Sequence, residues 1–280
     1  MSKFRIVWIW TSPFLVPNDM SIHAEKYFVA SQMAIMLGNK SVDYTLKTMM
    51  DGFEEERKTK PKIEEFDLIQ EILDFSVSVN EEILDRLKQC NFNDGTKSSL
   101  ACEAVFQRLR TTIKSIHYHI KFGFYFEAFA LIRFFMEQLA YAYTASLVSG
   151  NEIANFMSPT KSITVLKKFI PRVGLLYGEL SKFSHLDTSK ISKCLVINEG
   201  ENRIIQQSIL FSLEVSKYYL ELLEYQNYIF EFCFRAYLTD FKYIKANNEK
   251  WKFLSGNDFD LRQKKYINRI KALLRNYLVK

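Results

Sequence analysis

Glycine and proline are scarce here, 9 and 5 among 280 residues. Sheet proteins use those residues in their many turns, whereas long helices joined by few connections need hardly any, so the shortage argues against an all-β fold. Cysteine is sparse as well. Cys90, Cys102, Cys194 and Cys233 stand far apart, none at the spacing of a zinc knuckle or redox motif, and reduced thiols in a cytosolic protein are expected. Long apolar runs are also missing. The most apolar stretch, Phe122 to Val148, contains Glu127, Arg133 and Glu137, which are expensive in lipid, so no membrane span or membrane partner is expected. The stretch Ile6 to Val16 is broken by Pro13 and ends without a small-residue cleavage site, so no secretory signal is read there and the expected location is cytoplasmic.

What is present is ordinary for a globular chain, 48% apolar and 25% charged residues, and long enough to bury a sizeable core. The net charge of +6 is modest, with a basic concentration only at the C-terminal end; it permits an acidic partner without requiring one. Along the chain, Phe4 to Pro17 is rich in Trp and β-branched residues and reads as an extended segment. From Ile22 the apolar period becomes helical, with Gly38 and Asn39 as a stop. The charged run Glu54 to Lys60 before Pro61 marks a boundary, so residues 1–60 are read as an N-terminal layer, 61–240 as the central bundle and 241–280 as a basic C-terminal helix.

Beyond Pro61 the helical pattern is strong. One long helix or two in sequence span Ile63 to Leu87, and a turn follows at Asn93, Asp94 and Gly95. Helices are then expected over 98–121, 124–148, 162–169, 173–183, 203–237 and 258–279, with Cys194 to Ile197 as an extended linker. The helix 124–148 is apolar almost all round, the pattern of a helix at the centre of a bundle. The fold class is therefore all-α: a helical bundle with flanking helices and a short extended N-terminus.

Few residues invite chemistry. Arg133 and Glu137 lie four apart on the central helix, hence on one face, among neighbours apolar enough to bury them in part. Such a pair either fixes helix register or belongs to a functional cleft. Tyr177, Ser181 and His185 are again four apart and form one helical stripe; Tyr, Ser and His together can bind phosphate or move a proton near neutral pH, or else simply cap and pack the helix end. Arg110 and His117 share a face two turns apart. His117 and His119, two apart, point to different sides and do not share a metal. No metal and no cofactor are assigned. The C-terminal helix alternates Arg262, Lys264, Lys265, Arg269, Lys271, Arg275 and Lys280 with apolar residues; either its basic side faces nucleic acid or an anionic surface, or it docks through its apolar face and the charges only solvate it.

The strings ALIRFFMEQLAYAY (130–143) and LYGELSKFSHLD (176–187) resemble a group of bacterial helical proteins in which one helix carries Arg and Glu four apart and a later helix ends in a Tyr, Ser, His pattern. Those proteins in turn are similar to the HEPN superfamily of four-helix domains, several of which are RNA-cutting toxins or abortive-infection factors. The resemblance spans about 100 residues, from Ser98 to Asp187. It implies a metal-independent, dimeric endoribonuclease acting on RNA, with Arg133, Glu137, Tyr177, Ser181 and His185 as the matching positions. The chain departs from that pattern in one respect. HEPN nucleases place an Arg four to six residues before a His, and the basic residue ahead of His185 is Lys182. A non-catalytic helical module that binds a protein or small ligand in the same cleft is the alternative.

Overall fold

The computed structural model describes residues 4–9, 12–36, 38, 41–47, 63–92, 95–121, 124–148, 158–185, 187–191, 195–198, 203–206, 208–247 and 250–278. The chain divides into two compact units, Met1–Ile63 and Glu64–Lys280. In the first, strands β1 (Phe4–Ile9) and β2 (Ser12–Pro17) pair antiparallel, with Val7 opposite Phe14. Alternation decides which face is covered: Val7, Phe14 and Val16 are buried with Val29, Ala30 and Met33 of helix α1 (Ile22–Met36), while Leu15 points outward.

The second unit is an all-α bundle trimmed with hairpins. Its helices are α2 (Ile63–Gln89), α3 (Lys97–Lys121), α4 (Tyr125–Ala145), α5 (Pro159–Leu166), α6 (Val173–Ser184), the short α7 (Thr188–Ile191), α8 (Ser208–Cys233) and α9 (Asp258–Leu278). The expected segment Ile63 to Leu87 is thus one helix. Helix α4 packs against α3, α5, α6 and α8. Neighbours on so many sides require apolar residues all round, and Phe129, Ile132, Phe135, Met136 and Leu139 are fully buried. Aromatic stacking sets two of these contacts: Phe129 lies 4.0 Å from Phe183 of α6, and Tyr143 lies 5.0 Å from Phe169. Among the described cysteines Cys90, Cys102 and Cys233 are free thiols, all buried; burial pushes the Cys233 thiol up. Cys194, the 54–60 run and the expected turn residues Asn93 and Asp94 lie outside the described residues.

The expected helix 203–237 is shorter than its apolar pattern. Residues Arg203–Gln206 form strand β4, paired antiparallel with β3 (Leu195–Asn198), and the helix begins only at Ser208. The string RIIQ is β-branched at its centre, and a strand partner five residues upstream overrides the helical period. A further hairpin, β5 (Ile244–Asn247) with β6 (Lys250–Phe253), connects α8 to α9. It leads through Gly256, whose φ of 86° suits glycine, into α9, where Asn257 Oδ1 accepts the Asp260 N–H at 2.9 Å. Helix α9 then buries Phe259, Tyr266, Ile270 and Leu273, with Phe259 and Tyr266 at 5.3 and 5.4 Å from Phe75 of α2.

Helix α5 begins at a capping serine. Ser158 Oγ accepts from the Lys161 N–H at 3.4 Å, and Pro159 occupies the first turn, where no N–H is needed. Ser158→Ala is expected to lower unfolding free energy by about 1 kcal/mol, measured by urea denaturation; an unchanged midpoint would mean that water already serves that N–H.

Candidate functional site

Helices α4 and α6 pack side by side, and four of the five residues singled out from the sequence meet on that seam. Arg133 is the hub. Its Nη2 donates to the Tyr177 hydroxyl at 2.8 Å, its Nη1 donates to His185 Nε2 at 3.2 Å, and its Cζ stands 4.8 Å from the centre of the Tyr177 ring. The Tyr177 hydroxyl in turn donates to Glu137 Oε1 at 2.9 Å. Arg133 Nε lies 3.3 Å from that same Oε1, yet it is off the hydrogen-bond line and has no hydrogen-bond partner, so the contact is a Coulombic one. One turn of α4 therefore presents a cation and an anion, and α6 inserts a phenol between them.

Burial and charge together set the state of that phenol. Burial raises the Tyr177 pKa above the usual value; donation from Arg133 opposes this and the Glu137 carboxylate adds to it. Tyr177 is held as a neutral hydroxyl that accepts from Arg133 and donates to Glu137. A guanidinium offers only donors, so in this hydrogen bond His185 Nε2 is the acceptor. His185 is exposed, as the C-cap residue of α6 with φ −99° and ψ 14°. The Arg133 and Glu137 side chains retain 25% and 18% of their exposure, which makes the pair half-buried, accessible to a ligand and not sealed in the core.

Ser181 does not join the cluster. Its Oγ donates to its own helix at Tyr177 O, 2.7 Å away, and Ser184 does the same to Leu180 O at 2.9 Å. Both follow the local back-bonding habit of helical serines. Arg110 and His117 part company altogether. Arg110 is exposed, 3.8 Å from Glu81, whereas His117 Nε2 meets Ser76 Oγ at 2.6 Å and the fully buried Tyr219 hydroxyl at 3.3 Å. His119 uses Nδ1 on Ser115 O at 2.7 Å. Among the described residues no group of three or more His, Cys, Asp or Glu is placed to hold a metal ion, and no helix is long and apolar enough to cross a membrane.

Two polar centres went unread in the sequence. One is the Ser76, His117 and Tyr219 junction of α2, α3 and α8. The other is Glu231, fully buried in α8, whose carboxylate accepts the N–H groups of Lys242, Tyr243 and Ile244 at 2.7, 2.9 and 2.9 Å and lies 2.9 Å from Arg86 Nη2. An acid inside the aromatic string YIFEFCF was the available signal, because an unpaired buried carboxylate is untenable. A cleft of about 550 Å³ opens beside this centre, lined by Glu81, Glu82, Asp85, Arg86, Asp240 and Lys242. Its cations are already engaged, Lys242 with Glu82 at 2.7 Å and Arg86 with Glu231, so the convergent, solvent-accessible chemistry is that of the Arg133 cluster. Compared with protein-family models, curated proteins and solved structures, the chain finds no match.

Proposed function

We propose that this protein is a metal-independent endoribonuclease of HEPN-like type, a toxin or phage-defence factor of the cytoplasm that works as a dimer, with the Arg133 cluster as its site. The observation that carries the reading is the contact of the Arg133 guanidinium with His185 Nε2, 3.2 Å, on a half-exposed seam. A phosphodiester entering here offers the guanidinium better acceptors than an imidazole, and bidentate capture of phosphate is what that planar fork does best. Transfer of Arg133 from His185 to the phosphate frees Nε2 as a base. Nε2 then accepts the proton of the ribose 2′-hydroxyl as its oxygen attacks the adjacent phosphorus; the 5′-oxygen leaves with a proton from water, giving a 2′,3′-cyclic phosphate and a 5′-hydroxyl end. Tyr177 and Glu137 act through Arg133 as positioning residues, holding the fork in plane.

Cleavage of RNA in EDTA by the wild type and by the folded variants His185→Ala and Arg133→Ala tests this directly. Losses of about 10²–10⁴-fold for the histidine and 10²–10³-fold for the arginine are expected, with circular dichroism confirming each fold. Wild type without cleavage, folded, sinks the reading. One observation favours a second reading, a non-catalytic module that binds a protein or small ligand: Glu137 already balances the charge of Arg133 at 3.3 Å, which tempers its pull on a phosphate. In that case the same variants would lose a partner and not a reaction.

A further inference from the structure

The chain's positive charge is unevenly distributed. Residues 242–280 hold eleven Lys and Arg against three acids, a net +8, while the whole chain carries only +6. The two acids of the last helix, Asp258 and Asp260, lie in its first turn, and none occurs from Leu261 onward. Elsewhere in the bundle several cations are matched with acids, as in Arg86 with Glu231, Arg110 with Glu81, Arg172 with Glu221 and Lys242 with Glu82. On α9 Arg269 reaches Glu71 at 2.6 Å and Arg262 covers the Phe75 ring. Lys264, Lys265, Lys271 and Arg275 are exposed and have no ion-pair partner among the described residues. At 100° per residue these four fall on the outward stripe, opposite the docked Phe259, Tyr266 and Ile270, and span roughly 16 Å of helix.

The neighbouring hairpin repeats the pattern in β geometry. Lys245 and Lys252 are direct cross-strand partners, and Lys250 shares the face of Lys252. All three are exposed, while Trp251 and Phe253 turn inward, Trp251 to 5.6 Å from Phe232 and Phe253 to 4.4 Å from Tyr228. Like charges directly opposite across an antiparallel pair are destabilising. The fold accepts that cost at the start of the same segment that carries the bare helical stripe, and the two tracts touch through Tyr243 and Phe259, 6.2 Å apart.

We propose that α9 and the β5–β6 hairpin form a docking surface for the phosphate backbone of a nucleic-acid double helix. Charge complementarity selects a polyanion. Insertion into a membrane needs the apolar face of an amphipathic helix, and α9 has spent that face on α2 and α8. Unpaired bases need aromatic platforms, and the aromatic residues Tyr266, Trp251 and Phe253 are turned into the core. Outside, around the exposed Leu261, stand lysine and arginine at one- and two-turn intervals, which contact phosphates without reading bases. The proposal is independent of the cleavage reading, since none of these residues belongs to the Arg133 cluster.

Fluorescence anisotropy with labelled 20-base-pair RNA and DNA duplexes, at 50 to 200 mM salt, tests it. The wild type binds, and log affinity falls linearly with log salt. Reversal of Lys264, Lys265 and Lys271 to Glu weakens binding at least about tenfold and flattens the salt slope by up to about three, one contact per lysine. Lys245→Glu separates binding from folding: an opposite-charge cross-strand pair with Lys252 leaves the melting temperature equal or higher, yet the duplex affinity drops. The reversed lysines lie outside the Arg133 cluster, so loss of docking is told apart from loss of cleavage. Wild type that ignores both duplexes, variants that bind them unchanged, or capture by phosphatidylglycerol vesicles in place of duplex, each overturns the proposal.

Discussion

Glu231→Ala destabilises the helical body by about 3–5 kcal/mol, the usual result of removing one partner from a buried ion pair. In a unit of this size that lowers the melting temperature by roughly 10 °C or more. The reason is local and severe. The substitution strands three backbone N–H groups, those of Lys242, Tyr243 and Ile244, and leaves the Arg86 guanidinium, 9% exposed, with Asp240 O at 3.0 Å as its remaining acceptor. Arg86 Nη1 already lacks a hydrogen-bond partner, so it offers no slack. Glu231→Gln keeps the shape but aims an amide donor at other donors, and it falls between wild type and alanine. The double variant Arg86→Met with Glu231→Met recovers only part of the loss: no buried charge is left unpaired, but the three N–H groups stay stranded. Urea unfolding of the four proteins decides the matter: a loss under about 1 kcal/mol for Glu231→Ala would mean that the loop pays little attention to its carboxylate.

Acidification is the second large effect, and it runs through His117. Burial, with Lys121 adding to it, lowers the pKa of this imidazole to about 4. In the unfolded chain it returns to about 6.5, so between pH 6.5 and 4 the unfolded state binds a proton that the folded state refuses. The sign follows: stability is complete above pH 6.5 and is lost as pH falls toward 4. Integrated over that window, the wild type loses about 2 kcal/mol between pH 7 and pH 5 from this group alone. His117→Gln keeps a hydrogen bond to Ser76 within reach and removes the titration. Denaturant midpoints at the two pH values should therefore shift less for the variant than for the wild type; equal shifts would show that the ring finds room for its proton without unfolding.

Much of this was legible from spacing, and spacing also explains what was not. Arg133 and Glu137 share a face because they are four apart, and the apolar residues around them correctly implied partial burial. The same rule placed Tyr177, Ser181 and His185 on one stripe, but a shared stripe says nothing about partners. Ser181 bonds its own backbone, while His185 and Tyr177 reach across to Arg133. Strand β4 was read as helix because RIIQ continues the apolar pattern of α8, and its competitor, Leu195–Asn198, is set by pairing and not by period. The Ser76 to His117 and Tyr219 to His117 bonds join residues 41 and 102 apart, and Glu231 binds main-chain groups that carry no residue identity. Contacts of those kinds leave no periodic trace.

The docking of α9 has a bearing on how the chain is made. Glu71 and Arg269, separated by 198 residues, meet at 2.6 Å, and the Phe75 ring of α2 is covered by Phe259, Tyr266 and Arg262. On the ribosome α2 emerges well ahead of its partner. At about 5–20 residues per second the α2 groove waits some ten seconds or longer for α9. Closure of this bundle waits for α9, and until then the nascent intermediate is open to chaperones and to aggregation.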